Sequence, residues 1–445
     1  MMKNIVELIK EKKFIEAREE LSKKNVVDIA ALLSEIKDKE LVIKIFRILP
    51  KDIAADVFSY MEHEQKLFII NSITDAEIAN IINDLYIDDT VDFLEELPAN
   101  MVKKILKNTD ENTRAIINQF LNYPEHSAGS IMTIEYVDLK KEMTVEEALE
   151  HIRKTGIDKE TINTCYVIDE NRILEGIISI RKLILSDKNS IIKDIMKKEF
   201  IYVNTLDDQE TVAKLFKKYD LISIPVTDNE KRLVGIITID DIVDIIDQEN
   251  TEDFQKMAAM SPSEEEYLKT SILHLAKNRI TWLLILMISA TFTGNIIRKF
   301  EDILQSVVIL AAYIPMLMDT GGNAGSQSST LIIRGLALGE IKSKDVLKII
   351  KKELGVSLLT GIVLALVNFI RIYLLEKTNF LISITVCISL FFTVIIAKVI
   401  GGVLPIIAKQ AKVDPAIMAS PLITTIVDAL ALIIYFTTAK VLLKI

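Results

Sequence analysis

Residues 415–439 read PAIMASPLITTIVDALALIIYFTTA, twenty-five residues with one charge, Asp428, near the middle. A hydrocarbon core about 30 Å thick takes about 20 helical residues at about 1.5 Å each, so the stretch is long enough to cross a bilayer. An ionised carboxylate at that depth costs on the order of 2.5–3.5 kcal/mol and turns toward water, a cation or a partner rather than lipid. Ser420, Thr424 and Asp428 recur every four residues, which on a helix makes one polar stripe. The alternative is a dry pairing of Asp428 with Lys398.

Working outward, four charge-free windows precede this one: Ile280–Ile297, Ile303–Met318, Leu354–Ile370 and Thr378–Ala397. Together they predict five membrane helices, a succession that argues against buried helices of a soluble domain. Arg334, Lys342, Lys344, Lys348, Lys351 and Lys352 lie between the second and third windows, against Arg298 and Lys299 after the first, so the N-terminal half is expected in the cytoplasm. Between the second and third windows, residues 319–330 read DTGGNAGSQSST, with Gly322, Ser326 and Thr330 again four apart. The glycines predict non-helical backbone at membrane depth, tolerated where protein or a wet cavity covers it. Hydroxyl and carbonyl oxygens with one carboxylate form a hard lining suited to Mg²⁺ or Ca²⁺, and Mg²⁺, which loses water reluctantly, would be met as a hydrated ion. One carboxylate per chain is thin for a divalent ion, and a symmetric dimer with the path on its axis supplies two.

The remainder of the chain is different. Of 63 acidic and 53 basic residues, 9 and 17 lie after residue 270, leaving 54 and 36 before it. So acidic a surface repels a phosphate backbone, which excludes a nucleic-acid partner and favours cations. Cys165 and Cys387 offer neither a disulfide framework nor a thiolate zinc site, and the N-terminus has no signal-peptide pattern. The four histidines, His63, His126, His151 and His274, are scattered, and no catalytic constellation emerges, so the chain reads as a non-enzyme.

Residues 1–123 have helical periodicity and carry related phrases beginning at Asp28, Asp52 and Glu77, the spacing of a short helical-hairpin repeat. From Tyr123-Pro124 onward a helix followed by β-branched strands appears twice, with Gly176 and Gly235 as counterparts. This tandem resembles a CBS-domain pair, an α/β module that binds adenosine nucleotides in many proteins. By that resemblance Thr238 and Asp241 hold a ribose and ATP is a candidate ligand, whereas Lys182 replaces the Asp in the first half.

Two acidic runs adjoin these domains. Residues 67–102 carry eight acids, Asp88 and Asp92 among them, and no base, while Asp240, Asp241, Asp244, Asp247, Glu249, Glu252 and Asp253 fall within fourteen positions. Like charges about 8 Å apart cost about 2 kcal/mol at an effective dielectric of about 20, so facing runs repel until divalent ions bridge them. The helix from Asp241 leads toward the first membrane window, giving cytoplasmic cation a route to close its own entry path. The plainer reading is two solvated faces that aid solubility.

In this order of parts the chain resembles the MgtE family of magnesium channels and transporters. The resemblance rests on residues 123–132 (YPEHSAGSIM), on Gly321-Gly322-Asn323-Ala324-Gly325, and on the run from Asp414-Pro415-Ala416 through Pro421 to Asp428. It implies a helical N-terminal domain (1–123), a CBS pair (124–243), a connecting or plug helix (244–270) and a five-helix transmembrane domain (271–445). It also implies a homodimer in the cell membrane, conducting Mg²⁺ and closed by cytosolic Mg²⁺. Asp428 is then the selectivity carboxylate, with Gly322, Ser326, Thr330, Ser420 and Thr424 lining its site. Asp88, Asp92, Asp244, Asp247, Glu249, Glu252 and Asp253 are the sensor acids. A proton-coupled cation exchanger and a membrane-anchored nucleotide or metal sensor are the competing functions.

Overall fold

The computed structural model describes residues 2–95, 97–263, 267–268, 270–418 and 420–444, apart from the side chains of 2–4, 52 and 420, and divides into two compact units, 1–246 and 247–445.

The first unit begins with short helices: α1 (Met2–Lys10), α2 (Phe14–Ser22), α3 (Val26–Glu35), α4 (Lys39–Ile48), α5 (Lys51–Ser59), α6 (His63–Ser72), α7 (Asp75–Asp84), α8 (Ile87–Glu95), α9 (Ala99–Asn108) and α10 (Glu111–Phe120). Their starts are written locally. Asn25, Asp38 and Asp110 accept hydrogen bonds from the first free N–H groups of α3, α4 and α10, Thr74 and Glu77 form a reciprocal capping box on α7, and Pro50 and Pro98 stand immediately before α5 and α9. The related phrases open α3, α5 and α7, and α3 packs on α5, α5 on α7 and α7 on α9, so the sequence repeat is a stacking repeat. Ile29, Leu33, Val57, Phe58, Ile78 and Ile82 supply its apolar seam, with Phe58 edge-on to Phe93 at 5.1 Å.

Two equivalent modules follow. The first is β1 (Asp138–Leu139), α11 (Val145–Thr155), β2 (Thr164–Ile168), β3 (Leu174–Ser179), α12 (Ile180–Leu185) and α13 (Ile192–Ile195). The second is β4 (Val203–Asn204), α14 (Gln209–Tyr219), β5 (Ser223–Thr227), β6 (Leu233–Thr238) and α15 (Ile239–Met257). In each, the short first strand runs parallel to the second and the second antiparallel to the third, and Val167 faces Gly176 as Val226 faces Gly235. The same irregularity follows both valines. Arg172 ties the halves by donating to the Leu233 carbonyl at 3.0 Å, and the Tyr166 hydroxyl meets Ser223 Oγ at 2.9 Å.

The second unit contains α16 (Ile272–Lys299), α17 (Glu301–Ser306), α18 (Ile314–Ala337), α19 (Val346–Ile370), α20 (Phe380–Gln410) and α21 (Ser420–Leu443). With their flanking turns, α16, α19, α20 and α21 are long and apolar enough to cross a membrane by length and composition. The window 303–318, expected as one span, instead breaks into α17, a 3-10 turn (Val308–Tyr313) and the start of α18, where Pro315, lacking an N–H, sits in the first helical turn. The stretch 319–330, expected to be non-helical, is helical throughout and lies within α18. Its glycines serve close packing: a methyl group on Gly401 of α20 would lie 2.1 Å from the Gly325 carbonyl oxygen of α18, so the two backbones touch.

Gly401→Ala is therefore expected to lower the unfolding midpoint of the full-length protein in detergent through an overpacking cost of about 1–3 kcal/mol. Gly355→Ala, where nothing lies within 4 Å, should leave it unchanged or raise it. Equal midpoints for both variants would contradict this packing.

Candidate functional site

Three helices of the second unit meet at small residues. A methyl group on Gly322 of α18 would lie 2.8 Å from Cγ2 of Thr424 in α21. One on Gly321 would lie 2.7 Å from Cγ2 of Thr393 in α20 and 2.9 Å from Cγ1 of Val427, and one on Gly325 would lie 2.8 Å from Cγ2 of Ile423. Asp428 follows Thr424 by one turn on α21. It is half-buried, and its Oδ1 is enclosed without a hydrogen-bond partner. Gly322 and Thr424 thus come together beside Asp428 as the two stripes require. Ser326 is half-buried and Thr330 exposed on the same helical line, while the Ser420 side chain lies outside the described residues.

The Lys398 alternative is corrected. Lys398 is only 6% exposed, and its ammonium donates to Gln327 Oε1 of α18 at 3.4 Å, which commits it to the α18–α20 contact. A second buried charge, at the edge of a charge-free window, carries no signal in the window pattern itself. Glu353 of α19 is buried and accepts from Ser328 Oγ at 2.6 Å. Adjacent residues of α18, Gln327 and Ser328, are therefore held by a cation on one neighbouring helix and an anion on another. A single Glu between Lys351-Lys352 and the apolar run from Leu354 was the available signal.

The first unit concentrates carboxylates between α8, the second CBS module and the loop before β2. Asp88 is 9% exposed and accepts from the Asp89 N–H at 2.9 Å; burial, then the charge of Asp241, holds its carboxyl well above the usual range. Asp241 is pushed up to about 6 by burial against an opposing hydrogen bond from Thr238, whose hydroxyl lies 2.9 Å from Asp241 Oδ2, with Asp240 and Asp89 adding repulsion. Glu160, unflagged by the sequence, is raised to about 8 by burial and then by Asp240, Asp241, Asp89 and Glu135, and its Oε2 has no hydrogen-bond partner. Thr238 and Asp241 thus do associate, and the same Asp241 faces the acids of α8. Asp92 and Asp244 are exposed. Sequence spacing grouped Asp244 with the sensor acids because it lies one turn from Asp240, yet Asp241, in the first turn of α15, is the one that acts on Asp88.

The other expected sensor acids, Asp247, Glu249, Glu252 and Asp253, belong to the second unit. There Glu252 pairs with Lys256, which also donates to Asp414 Oδ2 at 2.6 Å, fastening the end of α15 to the turn before α21. Among the described residues, no three His, Cys, Asp or Glu side chains converge as a ready metal shell.

Comparison with known proteins matches residues 314–438 to a family described as MgtE, divalent cation transporter, residues 24–126 to the MgtE intracellular N domain, and residues 128–188 and 192–248 to CBS domains. The magnesium transporter MgtE of Thermus thermophilus is 36% identical over 431 residues, 96% of this chain and 95% of that protein. The Bacillus subtilis magnesium transporter MgtE is 33% identical over 435 residues, 98% and 96% of the two chains. A solved structure of the soluble part of a magnesium transporter superposes with TM-score 0.54 at 30% identity, covering 56% of this chain and 97% of its own. The cytosolic domain of the Mg²⁺ channel MgtE in complex with ATP does so with TM-score 0.52 at 35% identity, covering 55% and 100%. Similarity of this extent, running through the helical, CBS and membrane regions alike, means that the chain belongs to the MgtE family of magnesium transporters.

Proposed function

We propose that this protein is a homodimeric membrane channel for Mg²⁺ influx, with α18 as a fifth span beside α16, α19, α20 and α21 and its N-terminal half in the cytoplasm, and that cytosolic Mg²⁺ closes it. Its family comprises transporters rather than enzymes. The single observation that carries the reading is the enclosed, unpartnered Asp428 oxygen beside the Gly322–Thr424 contact. A carboxylate oxygen there, without a hydrogen-bond partner in the protein, is left to a mobile cation or its water, while Lys398 is engaged with Gln327. Asp428, Thr424 and Gly322 line this path, with Ser326, Thr330 and Ser420 further along the same stripes, and Mg²⁺ passes as a largely hydrated ion, in keeping with its reluctance to shed water.

Gating follows from the acidic face of the first unit. Asp88, Asp89, Asp241 and Glu160 repel one another at close range, and Mg²⁺ bound among them removes the cost of holding α8 against the CBS module. Asp92, Asp244, Asp247, Glu249, Glu252 and Asp253 add charge that raises local cation concentration. Since a relative's cytosolic domain is described in complex with ATP, we extend the reading to ATP at the CBS pair through Thr238 and Asp241. A proton-coupled exchanger is the second reading, favoured if Mg²⁺ uptake acidifies or alkalises the vesicle lumen in fixed proportion.

In proteoliposomes, Asp428→Asn is expected to reduce Mg²⁺ uptake about a hundredfold with the dimer intact; uptake within about twofold of wild type would exclude the reading. Asp88→Asn with Asp241→Asn should raise the internal Mg²⁺ needed for half-inhibition by about tenfold, read as current against internal Mg²⁺. The pH dependence has a definite sign. Asp241 and Glu160 have pKa values raised to about 6 and 8, so their contribution to packing is complete below the ordinary carboxylate range of about 4 and is lost as pH rises through those values. Without Mg²⁺, proteolysis of the first unit should accelerate between about pH 5 and about pH 8, and millimolar Mg²⁺ should suppress the acceleration.

A further inference from the structure

We propose that Glu376, aimed by Arg371, is a positioning residue for transport: acting through the Tyr313 hydroxyl, it fixes the entry to α18 and so holds Gly322 in register with Thr424 of α21. The inference rests on the transport reading above and goes beyond the path itself.

The chain enters α18 through a break. α17 gives way to the 3-10 turn Val308–Tyr313 and then to Ile314, so no continuous helix sets the height or rotation of α18 at this end. Side chains set them instead. Tyr435 of α21, fully buried, donates to the Leu310 carbonyl within the 3-10 turn at 2.9 Å. Tyr313, only 4% exposed, donates to Glu376 Oε2 at 2.7 Å and meets Thr378 Oγ1 at 3.2 Å. Arg371 reaches the first turn of α18 directly, donating to Met316 Sδ at 3.2 Å.

Glu376 is available for this because α19 ends in a π-helical turn, Arg371–Leu375, after which the Glu376 N–H bonds to the Arg371 carbonyl at 3.2 Å. Residues five apart lie about 140° round an α-helix and do not face one another. The wider π turn, with its i→i+5 bonding, draws them together, and Arg371 Nη1 lies 3.3 Å from Glu376 Oε1. The guanidinium is aimed in turn by Asn368, a buried residue whose Oδ1 accepts from Nε at 3.2 Å and from Nη2 at 2.9 Å. Glu376 thus has one oxygen on Arg371 and the other on Tyr313. An ion pair this exposed contributes little to stability, and π turns are concentrated at functional sites. Placement of α18 accounts for both: the residues from α19 hold Tyr313 and Met316, Tyr435 holds the turn before them, and the Gly322–Thr424 contact lies further along the same two helices, α18 and α21.

Mg²⁺ uptake by the full-length protein in proteoliposomes tests the role. Glu376→Ala and Tyr313→Phe should each raise the Mg²⁺ concentration for half-maximal uptake about fivefold, with the maximal rate per folded protein kept within about twofold. Loss of folded protein alone would lower the maximal rate and leave that concentration unmoved. Combined, the two changes should shift it no further than the larger single change, since they remove one interaction. Glu376→Gln keeps an acceptor for the Tyr313 hydroxyl and should restore most of the wild-type value. Tyr313→Phe deletes a single hydroxyl and carries the test if Glu376→Ala does not assemble. An unchanged half-saturating concentration in Tyr313→Phe, or shifts that add in the double variant, would overturn the positioning role and leave the transport reading standing. Wild-type protein that takes up no Mg²⁺ would overturn both.

Discussion

A carboxylate oxygen enclosed without a donor, where apolar helices converge, is the constraint on which the C-terminal unit depends. Asp428 Oδ1 occupies such a position. Burying an ionised group is costly unless it is paired. The fold engages the charges of neighbouring helices elsewhere: Lys398 is held by Gln327, and the buried acid Glu353 by Ser328. On the function proposed above, that negative site is satisfied by a cation that arrives and leaves.

Holding a charge that way needs rigid surroundings, and small residues provide them. The contacts of Gly321, Gly322, Gly325 and Gly401 draw α18, α20 and α21 so close that a single methyl group would collide with a neighbour. Lateral association of helices in lipid gains little from the hydrophobic effect, so such closeness and the polar ties at Gln327 and Ser328 do the aligning. α18 is thereby able to carry a polar run through a unit whose other long helices are apolar.

The same electrostatics recurs in water in the first unit. Asp88, Asp241 and Glu160 are held at an unfavourable separation by packing that has other sources, namely the helical stack and the CBS core. Protonation or a divalent cation relieves the strain, so the interface is poised to respond to its ionic surroundings. Lys256, between Glu252 and Asp414, shows the alternative solution, a fixed ammonium in place of a mobile ion.

Much of this was legible in the sequence because it is local. The 24- to 25-residue phrases open α3, α5 and α7, the twofold strand pattern reproduces the register of Gly176 in Gly235, and the apolar windows became α16, α19, α20 and α21, since period, capping and hydropathy are decided within a few turns of chain. The singular position of Asp428 was legible for the same reason. Only the tertiary structure decided that the Gly-rich run is helical, that Lys398 turns to Gln327, that Glu353 is buried, and that Asp241 rather than Asp244 acts on Asp88. Each depends on which helix lies opposite, and a glycine that unwinds a chain is written with the same letter as one that lets two backbones touch.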